Sequence, residues 1–147
     1  MKYFLFLVLF SCSRSEVQIL DSDNFQEVAL NKAKYVFVYF YSSTCVDCED
    51  YSHLMNQLAE IHKSRVNLIF AKADVGREIP EKMAEFIPKI APNFKLFKSG
   101  DNEVIHYKKK NRNVKSISNF LEKHCRVSLR QSNSVRNTED RLRKVEL

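Results

Sequence analysis

Residues 35–50 read YVFVYFYSSTCVDCED, and they carry the strongest structural pattern in the chain. Its first part, Tyr35–Tyr41, is aromatic and β-branched without polar alternation, which predicts a central strand covered on both faces. Cys45 and Cys48 follow, with two residues between them. An apolar stripe at helical spacing then predicts a helix, and its members are Tyr51, Leu54, Met55, Leu58 and Ile61. The stretch therefore places a C-x-x-C pair between a buried strand and a helix.

Predicted strands and helices alternate through the rest of the chain. The other strands are predicted over residues 17–20, 66–73, 93–98 and 103–107, and the other helices from Phe25 onward, over 81–86 and over 114–125. Strands that alternate with helices predict right-handed crossovers between parallel strands, and the turn at Ser99–Asn102 predicts an antiparallel hairpin at the edge. The fold class is α/β, with a central mixed sheet and flanking helices.

Length and composition predict one domain. The chain has 147 residues, and 44% of them are hydrophobic, which is enough for a core. The formal charge of +6 raises the question of nucleic acid, but the basic segment 108–112 and the basic tail carry no nucleic-acid-binding motif. We therefore predict no nucleic-acid partner.

The N-terminus predicts a leader. Lys2 precedes the apolar run Tyr3–Phe10, and small residues follow, so residues 1–15 are expected to be a cleaved secretory signal peptide. A buried strand and a lipid anchor on Cys12 are the alternatives. No apolar run reaches about 18 residues, so no stable membrane span is expected after removal of the signal.

The C-terminus predicts a retrieval signal. Residues 126–147 form a polar, basic tail after the predicted domain of residues 16–125. The tail ends in Lys144–Leu147, KVEL, which resembles the K-D-E-L signal with Val145 in place of Asp. We expect a protein of the endoplasmic reticulum lumen that binds a retrieval receptor through these four residues. A secreted protein and a bacterial lipoprotein are the alternatives.

The cysteine pair predicts redox chemistry. A helix N-terminus favours the thiolate of the first cysteine, so Cys45 is the expected nucleophile and Cys48 the resolving thiol. A zinc half-site completed by His53, His124 or Cys125, a structural disulfide, and two buried thiols are the alternatives. Because no second C-x-x-C exists, we predict no metal, and no cofactor besides a redox-active Cys45–Cys48 disulfide.

Two motifs resemble the protein disulfide isomerase family. Residues 40–48 are similar to its F-Y-A-P-W-C-G-H-C, and residues 92–101 to its P-T-L-K-x-F-x-x-G-D. The resemblance implies a single thioredoxin-like domain. It also implies that Pro92 is a cis-proline lying against the cysteines, where a strand-edge proline is the alternative, and that Arg112 is the modulating arginine of the last loop.

The sequence departs from the family around the cysteines. Thr44 replaces the family's Trp, and Val46-Asp47 replaces its Gly-His. Tyr39 stands where the family has a buried Glu that moves protons from the second cysteine, which argues against fast turnover.

The residues around the cysteines also predict modulators of the pair. Thr44 and Asp47 match a T-x-x-D capping box, in which Thr44 caps the helix. The charges of Asp47, Glu49 and Asp50 are expected to disfavour a thiolate at Cys45 and so to lower the reduction potential. The predicted function is thiol–disulfide exchange with cysteine-containing client proteins of the secretory pathway. The alternative is a redox-weak, client-binding domain resembling a chaperone.

Overall fold

The computed structural model describes residues 16–77, 84–100 and 103–125. These residues form five strands, β1 Gln18–Leu20, β2 Tyr35–Tyr41, β3 Leu68–Asp74, β4 Asn93–Phe97 and β5 Val104–His106. The helices are α1 Phe25–Ala29, α2 Cys48–Ile61 and α3 over residues 114–125. None of the helices in this described part is long and apolar enough to cross a membrane.

The strands form one mixed sheet with the order β1-β3-β2-β4-β5. β1 and β2 pair with β3 in parallel, whereas β4 is antiparallel to β2 and β5 is antiparallel to β4. β2 lies at the centre because its side chains are apolar on both faces, and residues 35–40 are all buried. The predicted mixed sheet is confirmed, and the topology is that of the thioredoxin fold.

Alternate side chains of β2 enter two separate cores. Phe37 and Tyr39 pack on one face with α2 and α3, and Val38 and Phe40 pack on the other face with α1. The helix predicted over residues 114–125 is confirmed, and its Ile117, Phe120 and Leu121 are buried. This packing fixes the end of β2 and the start of α2 relative to each other.

The inward stripe of α2 was wrong at its last member. Ile61 is 57% exposed, and Ala59 is buried instead. Successive residues of an α-helix are rotated by about 100° around its axis. Ile61 therefore points away from the direction in which Met55 and Leu58 enter the core.

The predicted strands over 17–20, 93–98 and 103–107 differ from the structure by one residue at one or both ends, and two other predicted elements were wrong by more. β3 begins at Leu68, and residues 66–67 belong to the preceding turn, where Val66 is 85% exposed. Residues 84–86 form a turn and are not helical, while residues 81–83 lie outside the described residues.

Three other predictions concern segments that the structure leaves wholly or partly undescribed. At the hairpin, Gly100 has a φ of 98°, which glycine adopts without strain, and residues 101–102 are outside the described part. The predicted signal peptide, residues 1–15, and the tail, residues 126–147, also lie outside the described residues. The signal peptide and the tail stay predictions.

Candidate active site

The two cysteines lie where β2 ends and α2 begins. Cys45 and Cys48 form a disulfide with 5.4 Å between their Cα atoms. The Cys45 N–H donates to the Ser42 carbonyl at 3.0 Å, and the Cys48 N–H donates to the Cys45 carbonyl at 3.4 Å. Cys45 is partly exposed, whereas Cys48 is 5% exposed. A second molecule therefore reaches the pair at Cys45, and the exchange roles of the two thiols stay predictions.

We expect brief alkylation of the reduced protein at pH 8 to label Cys45 first. Cys48 is shielded by burial, and burial raises the pKa of Cys125 from an ordinary 9.0 to about 11. At pH 8 only about one Cys125 in a thousand is then a thiolate, and its labelling should increase as the pH approaches 11. Peptide mapping by mass spectrometry after an iodoacetamide pulse measures the order. Equal labelling of Cys48 or Cys125 at pH 8 would contradict it.

The predicted capping box was wrong. α2 begins at Cys48 with Asp47 as its N-cap residue, and the Asp47 side chain makes no capping hydrogen bond. The hydroxyl groups of Thr44 and Ser42 instead hydrogen-bond each other at 3.0 Å. The reason is that residues 45–47 form the turn that the disulfide closes. The helix therefore begins only at Cys48, and Thr44 lies outside it. Asp47 is exposed, and its effect on the potential stays a prediction.

Tyr39 lies directly behind the disulfide. Its side chain is fully buried, and its hydroxyl donates a hydrogen bond of 2.8 Å to the Cys48 carbonyl. Its ring stacks on Phe94, with 5.0 Å between the centroids. The sequence identified Tyr39 only as a missing Glu and did not reveal this bond, because the bond depends on how closely β2 approaches α2.

The tyrosine does not replace a carboxylate as a proton acceptor. Burial is the main cause that raises the pKa of Tyr39 above its ordinary value, and Tyr51 and Tyr41 add to the rise. Arg112 opposes the rise through its positive charge. Tyr39 therefore stays protonated at neutral pH and acts as a hydrogen-bond donor.

Arg112 and Pro92 lie at the same end of the sheet as the cysteines. The Arg112 guanidinium carbon is 5.7 Å from the ring centre of Tyr51 and 5.8 Å from that of Phe94, within cation–π range. The Ala91–Pro92 peptide bond is cis, the geometry that the family resemblance implies. Pro92 precedes β4, whose first residues pair with Phe40 and Tyr39 near the end of β2. The roles of Pro92 and Arg112 in exchange stay predictions.

The histidines and the third cysteine considered for zinc do not group around the pair. Within residues 16–77, 84–100 and 103–125, no three His, Cys, Asp or Glu side chains are arranged to hold a metal ion. His53 is exposed on α2, while Cys125 is 4% exposed in the core at the end of α3.

The sequence is similar to protein disulfide isomerases. It is 33% identical to the protein disulfide-isomerase of Drosophila melanogaster over 129 residues, which cover 86% of this chain and 24% of the relative. It is 34% identical to protein disulfide-isomerase A2 of Mus musculus over 107 residues, which cover 72% of this chain and 20% of the relative. The chain thus spans about a quarter or less of the length of these relatives.

Comparison with solved structures shows the same fold. The first thioredoxin domain of mouse protein disulfide-isomerase A4 matches with a TM-score of 0.61 at 22% identity, over 78% of this chain and 76% of that one. Human ERp44 in its zinc-bound form matches with a TM-score of 0.62 at 22% identity, over 74% of this chain and 32% of that one. The family described as Thioredoxin matches residues 16–123. The chain therefore belongs to the thioredoxin family.

Proposed function

We propose that this chain is a thiol–disulfide oxidoreductase that exchanges disulfides with cysteine-containing client proteins. The observation that carries the proposal is the Cys45–Cys48 disulfide at the start of α2, with Cys45 partly exposed and Cys48 buried. The similarity to protein disulfide isomerases over most of this chain supports it.

The geometry accounts for each step of the exchange. Cys45 lies shortly before the N-terminus of α2, whose dipole favours its thiolate. In the reducing direction this thiolate attacks a client disulfide, the client S–S bond breaks, and the leaving thiolate takes a proton. Cys48 then loses its proton and attacks Cys45 in the mixed disulfide, which releases the second client thiol. The client gains two electrons and two protons, and the Cys45–Cys48 pair is oxidised to the disulfide.

We extend the proposal to the lumen of the endoplasmic reticulum. Its support is the predicted signal peptide, residues 1–15, together with the KVEL terminus, Lys144–Leu147, as the ligand of a retrieval receptor. A full-length chain expressed in a eukaryotic host should be retained, and a chain lacking Val145–Leu147 should be secreted. Equal retention of the two, measured by immunoblotting of cells and medium, would remove the retrieval proposal.

One observation favours a second candidate function, a redox-weak domain that binds clients. The Tyr39 hydroxyl hydrogen-bonds the Cys48 carbonyl and does not accept a proton at neutral pH. Because Tyr39 stands where the family has a carboxylate, the buried Cys48 lacks that carboxylate to take its proton. Slow resolution would favour retention of the client over turnover.

Reduction of insulin by dithiothreitol separates the two candidates. The wild-type chain should accelerate the reaction, because Cys45 and Cys48 carry electrons to the insulin disulfides. Cys45→Ser should return the rate to that without protein, while Cys125→Ser should stay near wild type because Cys125 is buried at the end of α3 and is not accessible to insulin. A wild-type chain that binds insulin without accelerating its reduction would overturn the enzymatic proposal in favour of the binding domain.

A further inference from the structure

Three consecutive lysines, Lys108–Lys110, form the lysine loop between β5 and α3, and all three are exposed. Resting on the function proposed above, we propose that the lysine loop selects client segments with acidic residues on one side of the reactive cysteine. The inference concerns the class of client, and the exchange chemistry at Cys45 is unchanged by it.

The lysine loop is held at both ends beside the candidate active site. Before it, Tyr107 is buried, and its ring meets Phe94 and Phe120 edge-on. The Tyr107 hydroxyl donates a hydrogen bond to the carbonyl of Asn111, which closes the loop. After it, Arg112 lies over Phe94. The three lysines therefore project into solvent from a segment whose two ends are fixed.

The aromatic ring that contacts both ends of the lysine loop also packs on the tyrosine that hydrogen-bonds the Cys48 carbonyl. Phe94, which contacts both ends of the loop, stacks on Tyr39, and the Tyr39 hydroxyl binds the Cys48 carbonyl. The positive charge of Arg112 acts across this cluster, since it counters part of the rise in the pKa of Tyr39. Arg112, which follows the loop, also covers Tyr51, one helical turn after Cys48. A client segment that extends from Cys45 toward Arg112 therefore approaches the loop, whose charges act over about 8 Å at physiological salt.

The charges of the loop and of Arg112 have no ion-pair partner in the part of the chain that the structure describes. Within the described residues, the ion pairs made by lysine and arginine side chains do not include Lys108, Lys109, Lys110 or Arg112. The acids at the start of α2 point elsewhere. At about 100° per residue, Asp50 and Glu49 are turned by about 100° and 200° from Tyr51, the residue that Arg112 covers. The site therefore has a positive side and an acidic side.

This arrangement favours carboxylates on one flank of the client. A single exposed ion pair between an ammonium and a carboxylate contributes little to the free energy of binding. Several positive charges on one rim, however, raise the rate of encounter with acidic clients and repel positively charged clients. The expected effect is on the second-order rate constant for a charged client, and it should weaken as salt increases. The reactivity of Cys45 toward a small neutral disulfide should not depend on the loop.

The test uses quenched fluorescent peptide disulfides that differ only in three residues on one side of the cysteine. These residues are Asp, Ser or Lys, placed N-terminal to the cysteine in one set and C-terminal in another. The reduced full-length protein should react about fivefold faster with the Asp peptide than with the Ser peptide of at least one set at 25 mM salt. At 300 mM salt, the difference should fall below about twofold.

Two triple variants with the same change in net charge locate the effect. Lys108→Glu/Lys109→Glu/Lys110→Glu should reverse the preference, so that the Lys peptide reacts faster. The matched control, Lys32→Glu/Lys34→Glu/Lys63→Glu, changes exposed lysines at the other ends of β2 and α2, where β2 alone spans about 20 Å, and should keep the wild-type preference. Both variants should react like wild type with hydroxyethyl disulfide, and a near-UV circular dichroism spectrum like that of wild type shows that they are folded.

Each outcome decides between the claims. If the loop variant keeps the preference for Asp, or if the control loses it equally, the lysine loop does not select clients. If the glutamate loop variant does not fold, Lys108→Gln/Lys109→Gln/Lys110→Gln should abolish the preference, and a preference that survives this change overturns the inference. If the wild type reduces neither the peptides nor hydroxyethyl disulfide, the proposed function itself fails. If hydroxyethyl disulfide is reduced normally but the peptides show no charge preference, only the inference about the lysine loop is overturned.

Discussion

A Cys48→Ser variant is expected to accumulate covalent complexes that join Cys45 to client proteins. Cys45 is partly exposed and still attacks, but serine supplies no thiolate to break the mixed disulfide. A reacting group held in place within the same molecule accelerates a reaction by many orders of magnitude over the same group free in solution. Loss of the Cys48 thiol should therefore lower the turnover rate at least about a hundredfold. Complexes that run at high mass on non-reducing gels and disappear on reduction would show the trapping, and mass spectrometry would identify the linked cysteine.

The control for trapping is the double variant Cys45→Ser/Cys48→Ser. It keeps Cys125, which is 4% exposed, and should form no such complexes. In a chain without residues 1–15, and so without Cys12, complexes that persist in the double variant would mean that Cys125 is the linking thiol and that the roles assigned to the pair are wrong. A single Cys48→Ser variant without complexes would show that Cys45 does not attack clients.

The sequence was sufficient to predict the architecture because its strongest pattern is local. The run Tyr35–Tyr41 is apolar at every position, so only a strand covered on both faces buries it, and the structure places it at the centre of the sheet. The C-x-x-C pair directly after this run was correctly placed between β2 and α2. These inferences needed only the order of residue types along the chain.

The details of the site could not be predicted in the same way. The T-x-x-D pattern favours a capping box, but the ring closed by Cys45 and Cys48 imposes its own turn, and the helix starts at Cys48. The contact of Tyr39 with the Cys48 carbonyl joins residues on two elements, and its geometry depends on the packing of α2 against the sheet. Periodicity identifies the buried face of an element but does not specify such atomic contacts.

Loss of the Tyr39 hydroxyl should weaken the disulfide and slow its formation. In Tyr39→Phe the ring and its stacking on Phe94 remain, but the hydrogen bond to the Cys48 carbonyl is lost. That bond ties the first residue of α2 to β2 and so keeps Cys48 near Cys45 when the pair is reduced. A net contribution of about 0.5–1.5 kcal/mol for such a bond corresponds at most to about a tenfold change.

The expected result is a disulfide up to about tenfold less stable against glutathione, which is a rise in reduction potential of about 30 mV. Resolution of a preformed mixed disulfide should slow by a similar factor. Equilibration with glutathione buffers gives the first quantity, and stopped-flow fluorescence gives the second. The matched control is Tyr41→Phe, which removes a hydroxyl two residues further along β2, one that makes no hydrogen bond within the described residues.

The pH dependence separates positioning from proton transfer. Because burial keeps Tyr39 protonated across pH 6–8, the resolution rate should rise with pH as the Cys48 thiol ionises, and Tyr39→Phe should shift the whole profile downward without changing its slope. A changed slope would mean that the hydroxyl takes part in moving the proton. A potential and a rate equal to those of wild type would mean that the packing of α2, and not this hydrogen bond, holds Cys48 in place.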